Sequence, residues 1–337
     1  MHYSPPFRLT HKIASLVGQI SEMIGHWTAV NQAGLLPSLR RENRIRTIQA
    51  SLAVEQNTLT FEQVTAVLDG KHVLGTPKEI LEVQNAFAAY DLLSSLAPTN
   101  MADLLTAHRV LMTGLVADAG HWRSGGAGIY RGDKLIHMAP PASQVPRLMT
   151  QLFDWVVATD AHPLIASSAF HYEFEFIHPF SDGNGRMGRL WQTLILSQWQ
   201  PALAYLPVET VIKHYQSAYY DAFRQADCKS DCTEFIEFLL NAFSLALAEA
   251  IVSSGKSRVE TQVETQVEKP VKTPQQIIQL LQHQPELTIS EMAALLGKST
   301  SAIERAISKL KQQNKLVFEG PKKACLLYTS PSPRDGL

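Results

Sequence analysis

From residue 10 to residue 250, apolar side chains return at intervals of three and four, and the strict alternation of a strand is scarce. That period lines one face of a helix, so most of the chain has to fold as packed helices. Local punctuation agrees. Thr60-Phe61-Glu62-Gln63 is a capping-box pattern opening Phe61 to Leu68, and Gly70 stops that helix. Pro163 to Ile177 reads as a longer helix in which His171 and Glu173 take structural places. One stretch breaks the period: Gly125 to Pro141 reads as a short hairpin, with Gly132-Asp133 at its turn. The expected fold class is mainly α, a helical core carrying one small β-hairpin.

Composition limits what such a core can be. The 337 residues suffice for two or three domains, and 45% hydrophobic residues is ordinary for a folded protein. A formal charge of −1 predicts neither a nucleic-acid coat nor a membrane-seeking surface. Three cysteines, Cys228, Cys232 and Cys325, argue against a disulfide framework and fit a reducing, cytoplasmic location. No further ligand set accompanies Cys228 and Cys232 to suggest zinc. Phe235 to Val252 is the most apolar run, but it contains Glu237, Asn241, Ser244 and Glu249, which predicts a buried or amphipathic helix and no membrane partner. Met1 to Leu35 lacks the basic start and compact apolar core of a signal peptide.

The chemistry gathers in twelve residues, His178-Pro-Phe-Ser-Asp-Gly-Asn-Gly-Arg-Met-Gly-Arg189. The turn Asp182 to Gly185 precedes a helix-favouring run ending at Trp199, so its amides stand at a helix N-terminus, where free N–H groups and the helix dipole attract anions. Gly183 and Gly185 permit close approach by a ligand. Arg186 and Arg189 share a helix face and can fork onto phosphate oxygens. Asp182 is the type of ligand Mg²⁺ takes beside a nucleotide, and His178 can accept a proton near neutral pH.

The string resembles the signature of Fic-domain proteins, His-Pro-Phe-x-Asp/Glu-Gly-Asn-Gly-Arg-x-x-Arg, at every defined position. The resemblance implies an adenylyltransferase, or AMPylator, with ATP as substrate. His178 would deprotonate a Ser, Thr or Tyr hydroxyl on a protein, and Asp182 would hold Mg²⁺, or Mn²⁺, on the α- and β-phosphates. Gly183, Asn184, Gly185 and Arg186 would cradle those phosphates, with Gly188 in the same turn of helix and Arg189 taking the γ-phosphate. Phe180 is the family's buried anchor. Relatives that use ATP as a phosphate donor carry lysine at the place of Gly185, so glycine implies AMP transfer. The hairpin falls where Fic proteins carry a flap, and Lys134, Leu135, Ile136 and His137 would pair with the target's main chain. Tyr220 and Asp227 fall where relatives contact the adenosine, although an asparagine is expected in place of Asp227. Self-modification and a homodimer are further implications.

Ser51-Leu-Ala-Val-Glu55-Gln56 resembles the inhibitory motif Ser/Thr-x-x-x-Glu-Gly/Asn of Fic proteins that carry their own restraint, with Gln56 departing from glycine or asparagine. Glu55 would pair with Arg189 where the γ-phosphate belongs. Two other readings stay open: a DNA-binding regulator whose Fic domain senses nucleotide, and a hydrolase in which Glu55 orients water to remove AMP. The division expected is 1–95 for the region with the restraint and 96–252 for the catalytic domain.

Beyond residue 252 the character changes. Repeats of Val-Glu-Thr-Gln between Gly255 and Pro270 suggest a linker over 253–272. Thr273-Pro274, the capping box Thr288 to Glu291, a helix from Ser299 and a strand at Lys315 to Phe318 give the order of a winged helix-turn-helix over 273–323. Seven basic residues stand against two glutamates from Lys298 to Lys323, which suits DNA phosphate, while such domains also dock proteins or dimerise. Residues 324–337 read as material from cloning or sequencing rather than as a second wing strand.

Overall fold

A computed structural model describes residues 3–30, 37–131, 134–266, 273–283, 287–313, 315–319 and 326–329. It divides into two units, residues 1–255 and 256–337, each with its own core.

In the first unit the helices are α1 (His11–Val30), α2 (Pro37–Val54), α3 (Phe61–Leu68), α4 (Pro77–Asp91) and α5 (Met101–Met112). A hairpin follows, β1 (Gly128–Arg131) and β2 (Lys134–Met138), and then α6 (Val145–Ala158), α7 (Pro163–Ile177), α8 (Asn184–Trp199), α9 (Val208–His214), α10 (Gln216–Lys229) and α11 (Thr233–Gln266), whose residues past Gly255 fall in the second unit. α7 and α8 pack as the central pair. α7 is almost wholly buried, with Ser167, Ser168, His171, Glu173 and Glu175 enclosed among its apolar residues. The capping box of α3 forms as its sequence predicts, and Gly70 follows the helix at φ +70°. α11 is long and apolar enough over Thr233–Ser253 to cross a membrane, yet Phe235, Ile236, Leu239, Leu240, Phe243 and Leu247 are buried in the helical core. It stays helical through Gly255 to Gln266, where composition suggests a linker. Residues 267–272 lie outside the described part.

β1 and β2 pair antiparallel, with Gly128 opposite Met138 and Ile129 opposite His137, but Tyr130 opposite Leu135. Ile136 is therefore an extra residue in β2, a bulge that re-aims the strand. His137 is buried, whereas Leu135 and Met138 are 40% and 65% exposed. The turn Gly132-Asp133 and the side chains of Lys134 and Ile136 lie outside the described residues.

The second unit holds α12 (Thr273–His283), α13 (Ile289–Leu296), α14 (Thr300–Gln312), β3 (Leu316–Glu319) and β4 (Leu326–Thr329). Ile277, Leu281, Met292, Ile303, Ile307, Leu310 and Leu316 close one small core. One expectation is corrected here. Leu326-Leu-Tyr-Thr329, set aside on composition, pairs with β3 in register from Leu316 opposite Thr329 to Glu319 opposite Leu326. The Pro, Ser and Gly that follow mask four strand-forming residues when the segment is judged as a whole.

Candidate active site

The site is built where α7 ends and α8 begins. His178 caps α7 with its amide on Phe174 O at 2.9 Å and turns the chain in the left-handed region, φ 49° and ψ 61°. An L-residue pays roughly 1–2 kcal/mol for that conformation, so the surroundings must enforce it. Arg123 does so: its Nε donates to His178 O at 2.7 Å, and its own amide donates to Pro179 O at 3.0 Å. The His178 ring faces Glu175, with Nδ1 3.3 Å from the carbonyl oxygen and 3.7 Å from Oε2. With Nδ1–H pointed at that carbonyl, Nε2 is the nitrogen left to accept a proton. Burial pushes the imidazole down to about 4, so it is a neutral base at pH 7.

Phe180 is fully buried and anchors the loop. Its ring lies flat on His108, 3.5 Å between centroids and 3° between planes. Gly120 N donates to His108 Nδ1 at 2.9 Å, which leaves Nε2–H to hold Asp182 O at 3.0 Å. Asn184 spends its side chain on the same loop, accepting from Phe180 N at 2.9 Å and donating to Phe180 O at 3.0 Å. What Asn184 offers an anion is its main-chain amide. Gly183 precedes α8 at φ +85° with no side-chain cap, so the first amides of the helix have no intrahelical acceptor. A Cβ at Gly183 would lie 2.7 Å from Met112 Sδ. At Gly185 it would collide with Glu55 Oε1 and lie 3.0 Å from Arg189 Nη1, so the position admits no side chain while Glu55 is in place. Gly188 packs against His171 and Glu175.

The two arginines are on one helix but have different partners. Arg186 reaches Asp182 Oδ1 at 3.0 Å and Glu82 Oε1 at 3.5 Å. Arg189 is buried, with Nε on Ser51 Oγ and Nη2 on Ser51 O at 3.0 Å each, and Nη2 on Glu55 Oε1 at 2.8 Å. The Glu55–Arg189 pair predicted from the motif is thus present, and Ser51 completes the clamp. α2 delivers Glu55 through its last turn. Gln56 N bonds Ala53 O at 3.2 Å and Asn57 N bonds Leu52 O at 3.1 Å, a Schellman ending whose left-handed residue is Gln56 at φ 70°. Glycine and asparagine suit that place, which explains why glutamine departs from the motif at a cost. Asn57 then ties the turn to Glu82 at 2.8 Å, and Glu82 is the partner of Arg186.

Asp182 is half exposed, and its Oδ1 accepts from Gly183 N at 2.6 Å and from Arg186 Nη2 at 3.0 Å. Among the described residues no group of three His, Cys, Asp or Glu side chains could hold a metal ion. One accessible carboxylate next to an anion-binding turn nevertheless fits Mg²⁺, which takes most of its remaining ligands from phosphates and water.

The other sequence candidates are placed as follows. Tyr220 packs edge-on to Tyr219 at 5.3 Å, and burial together with the nearby Glu55 raises its phenol. Asp227 meets His137 Nδ1 at 3.0 Å, while His137 Nε2 faces Phe176 O at 2.9 Å, so this flap residue points into the protein and joins α10 to β2. Of the two flap candidates whose side chains are described, Leu135 is at the surface. Sequence reasoning missed Arg123, His108, Glu82 and Glu175. Glu175 is buried between His171 and His178 with Oε1 unpartnered, and burial pushes its carboxyl up to about 8.

Both units of the chain resemble known proteins. The profile of the Fic/DOC family matches residues 98–196, and that of an HTH domain matches residues 274–323. A crystal structure of a Fic family protein from Desulfovibrio desulfuricans G20 is 47% identical, covering 98% of this chain and 99% of that one at a TM-score of 0.74. A Fic domain-containing signalling protein from Bacteroides thetaiotaomicron, 20% identical, shares the fold at a TM-score of 0.60 over 71% of this chain and 98% of its own. The protein adenylyltransferase Fic of Nematostella vectensis is 28% identical over 61% of this chain, and that of Culex quinquefasciatus is 28% identical over 60%. The chain spans 49% and 41% of the length of those two curated relatives.

Proposed function

Because this chain belongs to the Fic family, with an HTH domain beyond its catalytic unit, we propose that it transfers AMP from ATP to a Ser, Thr or Tyr hydroxyl of a protein, restrained by Glu55. The observation that carries the reading is the juxtaposition, within one loop, of a buried neutral histidine and an uncapped helix N-terminus flanked by Asp182, Arg186 and Arg189. The hydroxyl oxygen attacks the α-phosphorus as its proton passes to His178 Nε2. The bond to the pyrophosphate oxygen breaks in line. No covalent enzyme intermediate is required, so the protein contributes position and charge. The α8 amides and Arg186 hold the phosphates, and Asp182 would hold Mg²⁺, which neutralises their charge. Arg189 takes the γ-phosphate only when Glu55 leaves it, so the ion pair is the brake. Glu55 is one-third exposed, so it can swing toward solvent and leave its place on the buried Arg189 to a phosphate that offers equivalent oxygens.

Names of the curated relatives support AMP transfer, and the glycine at position 185 supports it over phosphate transfer. Intact-mass analysis of the Glu55→Gly variant after incubation with ATP tests the reading. An adduct of one AMP is expected, and a phosphate adduct would overturn it. For the second unit we propose a docking role toward DNA, supported by the exposed Lys298, Arg305, Lys309 and Lys315. Duplex affinity that falls steeply with salt and disappears on truncation after Gly255 is the expected result, and salt-insensitive or absent binding would refute it.

A further inference from the structure

Arg123 lies between α5 and β1, is 4% exposed, and donates its side-chain hydrogen bonds to main-chain carbonyls among the described residues. Its guanidinium reaches four main-chain carbonyls. Two belong to the catalytic loop, His178 O at 2.7 Å from Nε and Ile177 O at 3.3 Å from Nη2. The other two belong to the ends of the flap, Gly125 O at 2.7 Å from Nη1 and Pro140 O at 2.5 Å from Nη2. The amide of Ala139 on Ala127 O at 3.1 Å closes the hairpin base between them. Hydrogen bonds from an ionised donor are shorter and stronger than neutral ones, and a planar fork fixes their directions. One cation therefore joins the base of the hairpin to the residue that must act on a hydroxyl.

We propose that Arg123 is a positioning residue for the transfer reaction, locking His178 in its left-handed conformation and tying the catalytic histidine to the base of the β1–β2 flap. The proposal rests on the AMP-transfer reading above. With the His178 carbonyl fixed, the backbone dihedrals of that residue are fixed, and its ring is held with Nδ1 against Glu175 O and Nε2 turned outward. A target that pairs with the hairpin is thereby presented to a base whose position Arg123 has already set.

Arg123→Lys keeps the charge but cannot span four carbonyls. It is made with and without Glu55→Gly, beside Leu247→Ala, a buried α11 truncation remote from the site that serves as a comparator for lost stability. In the Glu55→Gly background, Arg123→Lys is expected to lower kcat for AMP transfer by about 100-fold, the scale of an ångström of misplacement, with ATP affinity unchanged. Leu247→Ala is expected to lower Tm without lowering kcat. Methylguanidinium should restore part of the rate to Arg123→Ala. Long-range ¹⁵N spectra of the histidine-labelled protein provide a readout without turnover: the His178 ring should hold one Nδ1–H tautomer in the wild type and a mixture in Arg123→Lys. A folded Arg123→Lys protein with unchanged kcat, or with His178 still in that one tautomer, would overturn the proposal. If Glu55→Gly alone transfers no AMP, the functional reading fails instead, and the tautomer measurement still decides the role of Arg123.

Discussion

The two ends of the site are held by different forces. At the phosphate end every cation is already engaged by a carboxylate: Arg186 by Asp182 and Glu82, and Arg189 by Glu55. At the base end His178 is held by hydrogen bonds to main-chain oxygens, from Arg123 and from its own Nδ1. A carboxylate can be exchanged for a phosphate, since both offer the same oxygens to a guanidinium. A lattice of backbone carbonyls has no such exchange partner. On the proposed function, the phosphate end is the one suited to switch and the base end the one suited to stay, with regulation and chemistry on opposite sides of the α7–α8 loop.

The largest effect expected separates the two ends. His178→Ala should lower transfer by about 10²- to 10⁴-fold, the usual contribution of a general base, and leave ATP affinity intact. Equal loss of ATP binding by calorimetry would mean that the base end also holds nucleotide. Next comes the switch. Glu55→Gly should raise self-labelling and target labelling by about 10-fold or more, the scale of an ordinary coupling between sites. If Glu55 instead orients water, the same variant loses the ability to remove AMP from a premodified protein, and running both assays on it decides.

Smaller effects sharpen the contrast. Burial sets His178 down near 4, against about 6.5 for a free imidazole, so the base is deprotonated well below neutral pH. Transfer by Glu55→Gly should hold steady from pH 8 to about 5.5, and an acid limb centred near 6.5 would show that the base is solvated. Smallest is the tuning at Gln56. Replacing it with asparagine suits the left-handed turn at the end of α2 and should stabilise the protein by about 0.5–1 kcal/mol. The restraint tightens with it, so the wild-type rate should fall a few-fold while Tm rises. A higher Tm with an unchanged rate would separate the turn from the brake.

How much of this was legible in the sequence follows from where each partner lies. His178 to Arg189 is contiguous, and its loop and helix start can be read residue by residue. Glu55 is distant but belongs to a short motif, and its pairing with Arg189 is the one long-range contact the sequence announces. Arg123 and His108 leave no such trace, because their partners are backbone oxygens and nitrogens that any residue supplies. Asp227 and His137 were assigned separately to nucleotide and flap, and only the folded chain brings them together at 3.0 Å. The bulge at Ile136 decides which flap residues face out, and no pattern in the sequence marks it. β4 was hidden by its neighbours' composition.

The account stands most directly on one time course: intact mass of the wild type, Glu55→Gly, and Glu55→Gly combined with His178→Ala, each with ATP and Mg²⁺. It predicts a single-AMP adduct that accumulates slowly or not at all in the wild type, rapidly in Glu55→Gly, and not in the double variant. A wild-type rate equal to that of Glu55→Gly, or an AMP adduct that persists without His178, would contradict it.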